Sequence, residues 1–130
     1  MKRRILHPVG EAEFEVLQAV WQMGEATVSQ VHERILTHRE VAYTTIMTLM
    51  KRLTDKGYLS YQNRGNTYHY QAQVTYEAFR ASMASEMVEK VFDGSPMALV
   101  QTLFKQESFS EEERAEIESL LNQIRTHTNP

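Results

Sequence analysis

Thr44, Thr48, Lys51 and Asp55 recur at helical spacing within "VAYTTIMTLMKRLTDKGYL", residues 41–59. At about 100° per residue they fall on the face opposite Ile46, Leu49 and Leu53, with Thr45, Met47 and Arg52 on the flanks. Threonine has modest helix propensity, and Ala, Glu or Lys would make a better solvated surface, so a cluster of threonines here asks for a reason other than helix stability. A threonine hydroxyl can bond a phosphate oxygen or a base edge, and its methyl can meet a thymine methyl in the major groove. Lys51 and Arg52 can neutralise phosphates, releasing counterions and making affinity salt-sensitive. The pattern points to a helix face that lies in a nucleic-acid groove. Taken alone, it is equally compatible with a plain solvent-exposed face.

Three neighbours bear on that choice. Lys2, Arg3 and Arg4 form a basic arm suited to phosphates or a minor groove, although a solvated tail is as common a use of such a terminus. Arg64 stands at a hairpin tip, where a wing would meet the DNA backbone, the alternative being a surface arginine in a turn. Tyr43, at the helix start, is compatible with either a DNA contact or local packing. Trp21 belongs to an apolar helix face and reads as core.

The elements that would position these residues are legible from periodicity. "EAEFEVLQAVWQMG" places Phe14, Leu17, Val20 and Trp21 on one side and stops at Gly24. In "TVSQVHERILTH", Thr27 and Gln30 have capping-box spacing, and Val31, Ile35 and Leu36 give one buried face. The opening segment supplies the third helix, with Ile46, Leu49, Met50 and Leu53 on one side and a stop at Gly57. The period then changes: "YLSYQ" and "TYHYQ" are short aromatic runs joined by "NRGN". From Thr75 a helical stripe of Tyr76, Phe79, Met83 and Met87 runs toward Gly94 and Pro96. "PMALVQTLF" is short and apolar. A last helix opens with Ser110 and Glu113 in capping-box spacing and carries Ile117, Leu120, Leu121 and Ile124. The expected fold is mostly α with a small β-hairpin: a winged helix-turn-helix at residues 1–74, followed by a helical domain at 75–130.

Composition sets the limits. A chain of 130 residues, 42% of them hydrophobic, can bury a core and is not a disordered tail. It has no long apolar run and no secretory leader, so no membrane insertion is expected, and the plain inference is a cytoplasmic protein. The absence of cysteine excludes disulfides and thiolate metal sites. The net charge of −3 hides an asymmetry. Residues 1–75 hold nine Lys/Arg against seven Asp/Glu, and residues 76–130 hold five against ten. The basic half suits a phosphate partner and the acidic half would be kept away from one, unless the division is only chance clustering of solvated charge.

Catalytic chemistry finds no support. His32 and Glu33 begin "HERIL", but position 36 is leucine where a zinc-protease helix needs its second histidine. His7, His38, His69 and His127 lack ligand spacing. Glu111, Glu112 and Glu113 suit a helix N-terminus, where carboxylates favour the macrodipole. There is no glycine-rich phosphate loop and no nucleophile elbow. The chain is not expected to be an enzyme, nor to hold a metal or cofactor.

On these segments the chain resembles the penicillinase repressor family, bacterial winged-helix regulators of the BlaI/MecI/CopY type. "EAEFEVLQAVW" is similar to that family's first helix, "GEATVSQVHERI" to its second, and "AYTTIMTLMKRLTDKGYL" to its recognition helix and the entry to the wing. The family often has an arginine just after the wing glycine, where this chain has Asn66, and Arg64 stands before the glycine instead. The resemblance implies a cytoplasmic homodimer that binds a pseudo-palindromic double-stranded DNA operator and blocks transcription. The DNA-contacting set would be Tyr43, Thr44, Thr45, Thr48, Lys51, Arg52 and Arg64, with Arg3 and Arg4 of the arm.

Residue chemistry supports a dimer independently. Phe79, Met83, Met87, Val91, Leu99, Leu103, Leu120 and Ile124 present more apolar surface than three short helices easily bury, although an intramolecular core would take part of it. Penicillinase-type members are relieved of repression when antibiotic signalling leads to cleavage of an Asn–Phe bond in this domain. The corresponding region here carries Thr102 and Leu103, so a regulatory protease would meet a different bond. Copper-responsive members use a cysteine cluster that this chain lacks. A competing expectation remains: a winged-helix protein–protein interaction module without sequence-specific DNA binding, since fold alone does not define function.

Overall fold

The computed structural model describes residues 9–128, and side chains for residues 9–123. Arg3, Arg4, Lys2 and His7 and the side chains of Ile124 and His127 lie outside the described residues. The order of elements is α1 Glu11–Met23, α2 Val28–Leu36, α3 Tyr43–Asp55, β1 Leu59–Arg64, β2 Thr67–Ala72, α4 Tyr76–Val91, α5 Pro96–Lys105 and α6 Glu111–Thr128. Three helices followed by an antiparallel hairpin make the winged helix-turn-helix expected from the sequence.

Local chemistry sets the boundaries of these elements. α1 ends at Gly24, whose φ of +79° suits a residue without Cβ and whose N–H reaches the Val20 carbonyl at 2.8 Å. α2 opens on the capping box: Gln30 N–H donates to the Thr27 hydroxyl at 3.2 Å, and Thr27 N–H donates to the Gln30 side chain at 2.9 Å. α3 closes in a Schellman motif. Gly57, at φ +88°, donates to the Thr54 carbonyl, and Tyr58 N–H reaches back to the Leu53 carbonyl at 2.9 Å. Tyr58 and Leu53 are both fully buried, so the turn that ends the helix also anchors the entry to the wing.

The hairpin pairs Leu59 with Ala72 through Arg64 with Thr67, leaving only Gly65 and Asn66 as the loop. Both have positive φ, +56° and +68°, the signature of a type I′ turn, whose twist matches that of the strands. The strands are therefore longer than the sequence suggested, extending into the "NRGN" segment. A backbone bridge between Ala26 and Tyr70, with bonds of 2.9 and 2.8 Å, ties the wing to the α1–α2 connection.

The core consists of Val16, Leu17 and Val20 from α1, Val31 and Ile35 from α2, Ile46, Leu49, Met50 and Leu53 from α3, and Tyr58, Leu59 and Tyr70 from the wing. Leu36, expected on the buried face of α2, is 44% exposed because it is the helix's last residue and has turned past the core. Phe79 completes the core, with its ring 5.5 Å from Phe14 and Trp21 and 5.6 Å from Tyr58. The Trp21 indole N–H donates to the Val74 carbonyl at 2.8 Å, which fixes the approach to α4.

The chain divides into two compact units, Met1–Met83 and Ala84–Pro130. The division falls later than Val74, where the change of period placed it, because Phe79 and Met83 on the first turns of α4 pack into the first core.

In the second unit Ser95 caps α5, accepting from Ala98 N–H at 3.1 Å. The segment read as short and apolar is therefore a helix. Ser110 and Glu113 cap α6 reciprocally, at 3.1 and 2.9 Å. Phe104 packs on Phe109 with ring centres 4.8 Å apart and lies under the Arg114 guanidinium. None of the residues 84–123 is buried.

Candidate nucleic-acid interface

α3 is held on one side and free on the other. Ile46, Leu49, Met50 and Leu53 are buried, whereas Tyr43, Thr44, Thr45, Thr48, Lys51, Arg52 and Asp55 are exposed. The expected ridge is thus presented outward from a rigid core. Thr54 turns its hydroxyl back onto the Met50 carbonyl at 2.8 Å, a local bond that keeps it out of the ridge. The N-cap position of α3 is Ala42, which supplies no side-chain acceptor to the first-turn N–H groups. Ahead of it, the His32 side chain donates from Nε2 to the Val41 carbonyl at 2.7 Å, and its ring meets Tyr43 edge-on at 5.7 Å. Those contacts fix the angle at which α3 leaves α2.

Between α3 and the wing lies an open cleft of about 870 Å³. Tyr43, Met47, Thr48 and Lys51 line its helix side, and Tyr61, Asn63, Asn66, Thr67 and Tyr68 its wing side. Thr44, Thr45 and Arg52 are exposed on α3 outside the cleft. Strand alternation accounts for the tyrosines and Asn63, since pairing Tyr61 with Tyr70 and Asn63 with Tyr68 puts all four on one face; Thr67, the register partner of Arg64, lines the cleft at the turn end of the hairpin. Tyr61 and Tyr68 stack at 4.1 Å with planes 13° apart. Tyr68, by its charge and hydrogen bonding, raises the Tyr61 pKa above the ordinary tyrosine value, and burial does the same for Tyr70.

Arg64 belongs to the other face. It alternates with Asn63 and sits beside Gln62, whose side-chain oxygen accepts from its Nη2 at 2.7 Å, and its Nη1 is 2.8 Å from Glu25. The tyrosines of the wing were not singled out in the sequence. The signal that finds them is the two-residue Gly65–Asn66 turn, which sets the register.

The apolar residues expected to join two copies fall into two sets. Phe79 is buried and Met83 half-buried in the first unit's core, where Phe79 is out of reach of a partner. Met87, Val91 and Leu120 are 51%, 66% and 57% exposed, while Leu99 and Leu103 are half-buried. A second cleft, of about 680 Å³, runs between α5 and α6 and is lined by Met97, Val100, Phe104, Ile117 and Leu121. Thr102 and Leu103 lie inside α5, with the Thr102 hydroxyl donating to the Ala98 carbonyl at 2.9 Å. Among the described residues no group of His, Asp or Glu is placed to hold a metal, and no helix is long and apolar enough to cross a membrane.

A family model described as Penicillinase repressor matches residues 9–123. The methicillin resistance regulatory protein MecI of Mammaliicoccus sciuri is 26% identical over 116 residues, covering 89% of this chain and 94% of that protein. The transcriptional regulator BlaI of Mycobacterium tuberculosis is 40% identical over 67 residues, 51% of this chain and 48% of the relative. The solution structure of the DNA-binding domain of the repressor BlaI superposes with a TM-score of 0.51 at 22% identity. It covers 59% of this chain and 93% of that one, a likeness of fold.

Proposed function

The chain belongs to the penicillinase repressor family, and we propose that it is a cytoplasmic transcriptional repressor that binds a pseudo-palindromic operator as a homodimer. The observation that carries the reading is the outward face of α3, where Thr44, Thr45, Thr48, Lys51 and Arg52 stand exposed on a helix whose other side is buried. A helix so anchored enters a major groove without reorganising. Its hydroxyls and methyls meet base edges, and its cations meet phosphates. Occupying the operator then denies the duplex to the transcription machinery.

The second unit supports association of two copies. With no buried residue among 84–123 and with Met87, Val91, Met97 and Leu120 about half or more exposed, it lacks a core of its own and gains one by pairing. A two-fold dimer sets its recognition helices roughly 34 Å apart, one turn of the duplex. Relief of repression by proteolysis at Thr102–Leu103 would require α5 to unwind locally, since a peptide bond inside a helix is not presented in extended form. Loss of the full-length chain in cells treated with a cell-wall antibiotic supports that route; a stable chain points to a different inducer.

Duplexes selected by the protein from a random-sequence pool, then titrated at two salt concentrations, test the reading. A repressor retains a sequence preference and loses affinity steeply as salt rises. A protein-binding module would select nothing.

A further inference from the structure

The cleft between α3 and the wing has almost no net charge of its own. Lys51 and Asp55 are the charged residues that line it, and they offset one another. The remaining polar lining residues are all uncharged, among them Tyr43 and Thr48 on α3 and Tyr61, Asn63, Thr67 and Tyr68 on the wing. Arg64, the only Lys or Arg between Lys56 and Arg80, lies on the opposite strand face against Glu25. A wing usually meets the duplex through a cation; this one presents a stacked pair of phenols.

We propose that the DNA strand passing between α3 and the wing is held on its wing side by neutral donors, the hydroxyls of Tyr61 and Tyr68 contacting the sugar-phosphate backbone across the cleft from Lys51 of α3, with Arg64 taking no direct part. The inference rests on the duplex-binding reading above. Its geometry is continuous with the α3 ridge, because Thr48 and Lys51 belong both to that ridge and to the cleft. Tyr61 and Tyr68 stay 44% and 42% exposed despite their stacking, and both line the cleft, so their polar ends are open to a ligand there. A hydroxyl donating to a charged phosphate oxygen releases no counterion, so such a wing adds affinity without adding salt dependence.

The test separates hydroxyl from ring. In the full chain, Tyr61→Phe with Tyr68→Phe keeps the stack and removes both donors, while Arg64→Ala removes the cation. Binding is measured at several salt concentrations against a duplex that the wild-type protein has itself selected from a random pool. The double phenylalanine variant is expected to bind about tenfold or more weakly with an unchanged salt slope, the scale of hydrogen bonds to a charged group. Arg64→Ala is expected to bind at most a few-fold more weakly at low salt, through the local field alone, to match the wild type at high salt, and to change the slope by well under the value of one phosphate. Wild-type binding by the phenylalanine variant overturns the proposal, as does a slope that falls in Arg64→Ala by the roughly 0.9 that one neutralised phosphate contributes. Near-ultraviolet circular dichroism checks that the hairpin is intact in both variants. A wild-type protein that selects no duplex removes the repressor reading and this inference together, a result distinct from either of those.

Discussion

Arg64, at the end of β1, is ion-paired to Glu25 in the α1–α2 connection at 2.8 Å, on the wing face away from Tyr61 and Asn63. The wing's one arginine is therefore neutralised in place, while Lys51 and Arg52 stand exposed on α3. The Arg64 and Glu25 side chains are substantially exposed, so the pair adds little to stability. Its effect is on the local field.

Glu25→Gln leaves Arg64 without its carboxylate and adds one net positive charge beside each wing. Operator affinity should rise a few-fold at low salt, and the gain should vanish as added salt shortens the Debye length to about 3 Å near 1 M. The check is a titration of both proteins across a salt series. Equal affinities at every salt would mean that Glu25 does not shape the field at the wing.

On α3, hydroxyls and cations should fail differently. Lys51→Ala is expected to weaken binding to all duplexes alike and to reduce the salt slope by about 0.9 for each phosphate left without its cation. Thr44→Ala and Thr48→Ala should instead change which sequences are preferred, with discrimination falling by about 1–3 kcal/mol at the affected base pair. Competition among single-base operator variants reads this directly. If all three variants bind as the wild type does, α3 is not the reading helix.

Phe79 joins α4 to the winged unit. Phe79→Ala removes a ring packed on Phe14, Trp21 and Tyr58 and should cost about 3–5 kcal/mol in the unfolding of that unit. Denaturant titration followed by Trp21 fluorescence measures it. A loss below about 1 kcal/mol, the scale of a surface change, would contradict the core assignment.

Acid should loosen the same unit at a defined point. The Arg39 guanidinium hydrogen-bonds the Glu15 carboxylate, with Nη2–Oε1 at 2.6 Å, and holds its pKa below the ordinary 4.5, with His38 acting in the same direction. A folded-state value below the unfolded one gives a contribution that is complete above pH 4.5 and is lost as pH falls through the lowered folded value. Arg39→Gln should therefore lower the melting temperature at neutral pH and narrow the gap to the wild type as pH falls below that point. A gap that stays constant with pH would show that Glu15 is not the linked group.

How much of this was legible beforehand depended on the range of the interaction. The Thr27–Gln30 and Ser110–Glu113 caps, the stops at Gly24 and Gly57 and the buried stripe of α3 are contained within a few residues, and the sequence announces them. Phe79 was legible as apolar but not as a member of the first core, because a helical stripe says nothing about which neighbour covers it. Leu36 was legible as apolar, but it follows the buried Ile35 by one residue, about 100° round the helix, and so points past the core. Arg64 looked like a wing contact. Its pairing with Glu25 depends on the Ala26–Tyr70 bridge, a long-range contact with no local signature. The tyrosine face became visible only once the two-residue turn had set which strand residues share a side.

If two copies of this chain lay their α3 faces into successive major grooves of one duplex, each copy must shield its own groove from chemical attack. Methylation protection on a selected duplex reads that placement most directly. Two symmetric patches of major-groove contact are expected, with centres about one helical turn, or roughly 10 base pairs, apart. A single patch, or contact confined to the minor groove, would contradict the paired arrangement.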